Sequence, residues 1–327
     1  MKRRDFLRHT MAISLAAALR PAYGLERYPE RPIHLMVPSA PGGVHDVIGR
    51  LWAEGVRAQL GTIVIDNRGG GGGLIGAADA AKAPPDGYTL LLGSTTTQVL
   101  ITPLIAKPPY DPLRDFSFAS VFANSSTSIV IHPSVAAANL IELIAYAKAN
   151  PGKLSYGSAG NGSITNLTGE LFKKLGGELD IVHVPYKGIG EGIQDLISGR
   201  VRMFIANATA QILELHSAGK VRILAVNAAE RIRAAPEIPT SGEAGLPGMI
   251  AQTTFAILAP AGTPNSIVAQ LDAATQTLMA DQAFRARLVT IGFEPMQGLG
   301  PVQSEQLFKE ETARWLPIVK ATGMAPE

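Results

Sequence analysis

The sequence predicts an α/β fold of two units, each a doubly wound, mostly parallel sheet, joined by two crossing strands. Three observations predict it. Short apolar runs alternate with helical patterns in β-α-β-α-β order, which calls for parallel strands with helices on both faces. The alternation breaks near Pro108-Pro109-Tyr110-Asp111-Pro112 and then restarts, so a second unit occupies the middle of the chain. After the last strand only helical patterns follow, and a tail without strands must pack on an existing sheet.

Each element follows from a local pattern. Ile33–Val37 is an apolar run and the first strand. Asp46–Leu60 places Val47, Leu51, Val56 and Leu60 at helical spacing, with Gly61 as a stop. Thr62–Asp66 is the next strand, Leu74–Ala83 the next helix, and Pro84-Pro85-Asp86-Gly87 a turn before the strand Tyr88–Gly93. Phe118–Phe122 and Ser128–His132 read as strands without a long helix between them. The second unit then runs helix Leu140–Ala149, strand Lys153–Tyr156, helix Ser163–Leu175, strand Ile181–Val184, helix Gly190–Ser198, and strands Arg202–Ile205 and Val221–Val226. Thr253–Ala259 is a further strand, followed by helices Pro264–Met279, Asp281–Ile291 and Val302–Ala321. The chain thus crosses between units near Ala123–Ser128 and near Ile250–Phe255. Residues 25–125 plus 251–327 form one lobe and 126–250 the other. Two connecting strands make a hinge, and the cleft between lobes is a natural ligand site.

Composition narrows the functions. The 327 residues are 46% hydrophobic, enough for packed cores, and 17% charged, below the usual quarter. There is no cysteine, which excludes disulfide scaffolds, thiolate metal sites and cysteine nucleophiles. A net charge of +2 is too weak for a nucleic-acid footprint. That charge is also unevenly placed. Met1-Lys2-Arg3-Arg4-Asp5-Phe6-Leu7-Arg8, a mild apolar run from Thr10 to Leu19, and small residues at Ala22 and Gly24 read as a secretory signal over residues 1–24. Arg3-Arg4-x-Phe6-Leu7 resembles a twin-arginine export signal. Cleavage after Gly24 removes five basic residues and one acidic one, turning 29 against 27 into 24 against 26, a net charge of −2.

Several segments carry a family resemblance. They are Arg31-Pro32-Ile33, Val37-Pro38-Ser39-Ala40-Pro41-Gly42-Gly43-x-x-Asp46, Asn67-Arg68 before the glycine run ending Ile75-Gly76, and Pro85-Asp86-Gly87-Tyr88-Thr89-Leu90-Leu91. Further along come Tyr110-Asp111-Pro112-x-x-Asp115-Phe116, Ala147-Lys148-Ala149-Asn150-Pro151-Gly152-Lys153-Leu154, Tyr156-Gly157-Ser158-x-Gly160-x-Gly162-Ser163 and His183-Val184-Pro185-Tyr186-Lys187-Gly188. The last are Gly219-Lys220-Val221-Arg222, Pro239-Thr240-x-x-Glu243-x-Gly245 and Ala259-Pro260-Ala261-Gly262-Thr263-Pro264. Together, from about Arg31 to Trp315, they resemble the Bug family, the TctC-type extracytoplasmic receptors of tripartite tricarboxylate transporters. The resemblance implies a two-lobed periplasmic binding protein of type II-like fold, without catalytic activity or cofactor. It would close as a monomer on a small carboxylate (a di- or tricarboxylate, an amino acid or an aromatic acid) and deliver it to membrane permease subunits.

An anion needs fixed donors, and helix N-termini supply them. The resemblance assigns the carboxylate grip to Ser39, Ala40 and Gly43, with Gly42 in the same loop. Asp46 reads as the helix N-cap, or as a ligand contact if the ligand carries an ammonium or hydroxyl. A second grip is expected from Ser158, Gly160, Asn161, Gly162 and Ser163, which open a helix in the second unit. Ser94, Thr95 and Thr96 end the third strand, where ligands sit in open α/β sheets, although capping alone would also explain them. Asn166 and Asn207 are further expected ligand contacts; the family usually has histidine where this chain has Asn166, and often an acid at Ala206, beside Asn207. Gln252-Thr253-Thr254-Phe255 stands where the family often has tryptophan. These departures point to a changed ligand preference.

Other motifs fit less well. Gly69–Gly73 lacks the Gly-Lys-Ser/Thr ending of a phosphate loop. The six histidines have no metal-ligand spacing. His183, between Val182 and Val184, reads as a strand-edge or packing residue, and Lys187 as a solvated lysine or an anion contact. A sensor subunit, or an enzyme using Asp46, His45 and His183, are the alternative readings.

Overall fold

A computed structural model describes residues 28–187, 189–297 and 299–321. The expected signal segment lies outside the described residues. The described residues from Arg31 onward form one compact unit.

The first sheet starts with β1 (Ile33–Val37), β2 (Ile63–Asn67) and β3 (Thr89–Ser94), where β1 pairs in parallel with both others. Between them lie α1 (Val44–Gly55), a single turn α2 (Arg57–Leu60) and α3 (Leu74–Ala81). The helix expected to run to Leu60 breaks at Val56, and Gly61 at φ +66° ends it. A single π-helical turn, Thr96–Leu100, follows β3 directly, closed by Ile101 N–H on Thr96 O.

The largest departure from expectation is β4. The two strands expected at Phe118–Phe122 and Ser128–His132 are one strand, Phe116–Ile131. The intervening Asn124-Ser125-Ser126-Thr127-Ser128 is polar enough to suggest a loop. Its hydroxyls instead find carbonyls: Ser125 donates to Gly292 O, Thr127 to Ala251 O and Ser128 to Ala206 O, at 3.2, 2.8 and 2.9 Å. Satisfied in this way, a polar strand can be buried. Along its first part β4 pairs antiparallel with β9 (Gln252–Pro260), which also pairs antiparallel with β3. Along its last part it pairs antiparallel with β7 (Met203–Asn207) and β8 (Arg222–Val226).

The second sheet is completed by β5 (Leu154–Ser158) and β6 (Ile181–Pro185), with β5 parallel to both β6 and β7. The strand order is β2-β1-β3-β9-β4-β7-β5-β6, a curled sheet running through β4. Parallel pairs thus lie at both ends, and antiparallel pairs gather at the crossing. Helices α4 (Leu140–Ala149) and α5 (Ile164–Leu175) cover one face with Tyr156, Leu171, Phe172 and Met203. Helix α6 (Ile189–Ile197) and α7 (Ala210–Ser217) contribute Ile193, Leu196 and Ile212 to the other face, against Val130 and Phe204. Helix α7 was not among the expected elements, because eight residues with one buried apolar side chain give little helical period.

The tail forms α8 (Asn265–Ala280), α9 (Gln282–Thr290) and α10 (Pro301–Ala321), plus a two-residue strand β10 (Glu294–Pro295) on β4 that the sequence reading missed. Phe308 and Trp315 of α10 pack with Met36, Leu91 and Leu258 of the first sheet. On the opposite face Trp52 of α1 donates to Thr275 of α8 at 3.1 Å. Among the described residues no helix is long and apolar enough to cross a membrane.

Candidate functional site

Two strand-to-helix turns have the same construction. In the first, Gly42 (φ +78°) precedes the N-cap Gly43, and Asp46 is the third helical residue. In the second, Gly162 (φ +72°) precedes the N-cap Ser163, and Asn166 is the third helical residue. In each, the side chain at the third position reaches back to the glycine amide. Gly42 N–H donates to Asp46 Oδ2 at 2.8 Å, and Gly162 N–H donates to Asn166 Oδ1 at 3.0 Å. Left-handed backbone is cheap only for glycine, so both turns require it there.

This geometry corrects several expectations. Asp46 is not the N-cap. It lies in the first turn of α1, where a carboxylate complements the positive helix end. Asn67 Nδ2 donates to it at 3.0 Å and Arg50 Nε pairs with it at 2.9 Å. Burial pushes its carboxyl up, but the hydrogen bonds from Arg50, Gly42 and Asn67 outweigh that and hold it below the usual range. The loop amides expected to grip an anion are mostly engaged within the turns. Gly43 N–H donates to Ala40 O, Gly160 N–H to Ser158 Oγ, and Ser163 N–H to Gly160 O. The helix-end donors that remain are the first-turn amides of Val44, His45 and Asp46 at the first helix, and of Ile164 and Thr165 at the second, where Ser163 Oγ takes the Asn166 amide.

The side chains divide similarly. Ser163 caps α5, accepting from Asn166 N–H at 3.2 Å and donating to Gly160 O at 2.7 Å. Asn166 is buried and its amide is fully engaged. Thr95 accepts from Thr254 N–H at 2.9 Å, and Asn207 Nδ2 donates to Thr253 Oγ1 at 3.0 Å, so both anchor to β9. Thr97, rather than Thr96, closes the turn on Ser94, accepting from its N–H at 3.0 Å. Ser94 Oγ is buried with no protein partner, as are His45 Nε2 and Asn124 Oδ1. Ser39, Ala40 and Asn161 stay accessible at the loop surfaces. Lys187 is exposed.

Both turns touch a common segment, Gly69–Gly73. A Cβ on Gly73 would meet Thr97 and Pro38, and one on Gly72 would lie 3.4 Å from Asn161 O. The Gly69–Gly73 segment is therefore the bridge between the Ser39 loop and the Gly160 loop. Ile164 and Leu167 of α5 pack in one cluster with Val99, Leu100 and Leu104 of the first sheet's turn.

Two histidines, His45 and His183, were given no ligand-binding role in the sequence. His45 follows the first loop, and its ring packs edge-on against Phe255 at 5.1 Å. Enclosure of its nitrogen lowers its pKa to about 4, so it is neutral at physiological pH. His183 is an edge-strand residue stacked on Tyr156 at 4.8 Å, and its Nε2 lies 2.7 Å from Ser158 Oγ. The β5–β6 pairing sets Tyr156 opposite His183, so the signal was a strand register that sequence spacing does not reveal.

A curled α/β sheet with two Gly-opened strand-to-helix turns defines a class, the two-lobed solute-binding proteins. The chain belongs to the tripartite tricarboxylate transporter family receptors, whose model matches residues 48–324. BugT of Bordetella pertussis is 33% identical over 301 residues, covering 91% of each chain. A solved R. palustris structure with adipate has a TM-score of 0.87 at 35% identity, covering 92% of this chain and 100% of that one. MatC from Rhodopseudomonas palustris, with bound malate, has a TM-score of 0.83 at 31% identity, covering 89% and 100%. The chain is a periplasmic-type solute-binding receptor and not an enzyme.

Proposed function

We propose that the chain is exported by a signal at residues 1–24 and captures a small dicarboxylate as a monomer, for membrane permease subunits of a tripartite transporter. The observation that supports this reading is the pair of matching turns that open α1 and α5, both touched by the Gly69–Gly73 segment. Two helix ends suit two carboxylates, because each offers unpaired amides and a partial positive charge. Similar solved proteins hold adipate and malate, both dicarboxylates. Ser39 and Ala40 would contact the ligand from one side and Ser158 from the other. The lobes 25–125 plus 251–327 and 126–250 would open about the β4 and β9 crossings to admit it.

A thermal-shift panel of mono-, di- and tricarboxylates at millimolar concentration tests this. Ligand at a hundred times its Kd adds about 2.7 kcal/mol of stability, which moves the melting temperature by several degrees. A dicarboxylate is expected to give the largest shift. No shift from any carboxylate would refute the reading.

A further inference from the structure

Behind Ser158 lies a chain of hydrogen bonds whose direction is fixed from its far end. Lys173 Nζ pairs with Glu170 Oε2 at 2.8 Å, and Glu170 Oε1 accepts from the Tyr156 phenol at 2.7 Å. Burial, then the adjacent Glu170, pushes the Tyr156 phenol up, so it keeps its proton. Its other near acceptor, Asn166 O at 3.1 Å, is also only an acceptor. The phenol lone pair is left for Asn166 Nδ2, at 3.0 Å. From the other side, Gly162 N–H requires an oxygen, and Asn166 Oδ1 supplies it at 3.0 Å. Two independent partners therefore assign the amide orientation.

The second proton on Asn166 Nδ2 faces His183 Nδ1 at 3.4 Å. That nitrogen must present a lone pair. Burial lowers the His183 pKa, against the nearby Glu170 carboxylate and with help from Lys173, so the ring is neutral and its single proton sits on Nε2. Nε2–H then donates to Ser158 Oγ at 2.7 Å, and Gly160 N–H donates to the same oxygen at 3.2 Å. Both lone pairs of Ser158 Oγ are occupied. Only its proton is left, and its protein acceptor, Gly160 O, is distant at 3.4 Å.

We propose that Asn166 and His183 are positioning residues that make Ser158 an obligate hydrogen-bond donor, so that the site accepts a carboxylate oxygen there and rejects an ammonium or N–H group. This rests on the reading of Ser158 as a ligand contact. Asparagine at 166 suits the role because its amide has one accepting and one donating end and does not titrate. Tyr156 and Glu170 polarise the chain, and the stacked phenol ring holds the imidazole plane in line with Ser158.

Long-range 1H–15N spectra of the 15N-histidine-labelled protein test the chain without ligand, with His183 assigned by its loss in His183→Gln. The expected result is protonation on Nε2 in the parent and on Nδ1 in Asn166→Asp, whose second oxygen would face Nδ1. A parent protonated on Nδ1, or a tautomer unchanged in Asn166→Asp, overturns the proposal. Calorimetric titration with adipate separates it from the functional reading. Ser158→Ala is expected to weaken binding at least tenfold, His183→Phe by a similar factor, and His183→Gln, which restores a donor and an acceptor, by less than threefold. Unchanged binding in Ser158→Ala removes the ligand contact itself. Weakened binding in Ser158→Ala with parent affinity in His183→Phe removes the relay and leaves the contact.

Discussion

The turns that open α1 and α5 share a backbone and differ in charge. Each has a left-handed glycine, an extended N-cap and a side chain at the third helical position bonded to that glycine. At the first turn that side chain is Asp46, ionised and neutralised by Arg50, while at the second it is Asn166, neutral and tied to Tyr156 and His183. A carboxylate at a helix N-terminus already complements the dipole and competes with an incoming anion. The second turn leaves its positive end uncompensated. One fold element used twice thus gives an electrostatically balanced helix end and an uncompensated one, and in the proposed site the α5 end is expected to dominate affinity.

The comparison breaks most sharply if its one chemical difference is erased. Asn166→Asp places a second carboxylate beside the ligand and is expected to lower dicarboxylate affinity by at least tenfold, about 1.4 kcal/mol, in calorimetric titration. Equal affinity in this variant and the parent would show that the two turns do not differ as argued. Next in size, Gly162→Ala forces an L side chain into φ +72° with its Cβ 2.6 Å from Ile101 Cδ1. It is expected to cost about 1–3 kcal/mol of stability in denaturant melts and to weaken binding. Gly42→Ala shares the unfavourable φ, at +78°, but its Cβ would meet nothing within 4 Å, so it is expected to cost less.

A smaller effect distinguishes the first turn by pH. His45 has a pKa lowered from 6.5 to about 4, so the folded state binds its proton more weakly than the unfolded chain does. Its contribution is therefore fully present above pH 6.5 and is lost as the pH falls toward 4, by up to about 3 kcal/mol. Denaturant melts at pH 7 and pH 4.5 are expected to differ more in the parent than in His45→Phe. An equal difference in both would place the acid sensitivity elsewhere.

How far the sequence carried depended on range. The apolar runs of β1, β2 and β3 and the glycines of both turns were legible because short-range periodicity and turn chemistry determine them. The same glycines explain why Asp46 was misjudged. A cap is normally a side chain, and here Gly43 occupies that position with backbone alone. Strand β4 was hidden because its polar centre is satisfied only by partners far away in sequence, such as Gly292 and Ala251. His183 was recognisable as an edge residue, yet its link to Ser158 exists only through the β5–β6 register. Asn166 drew notice as a departure from the family, while its role in orienting a histidine required three-dimensional partners.

The proposed site has the ends of α1 and α5 together holding one small dicarboxylate. Calorimetric titration of adipate and malate into the parent, Gly43→Trp and Ser158→Trp tests it most directly. The expected result is one site per chain in the parent, with binding abolished in each tryptophan variant while both still melt cooperatively. Binding by the parent that survives unchanged in both variants would contradict the claim.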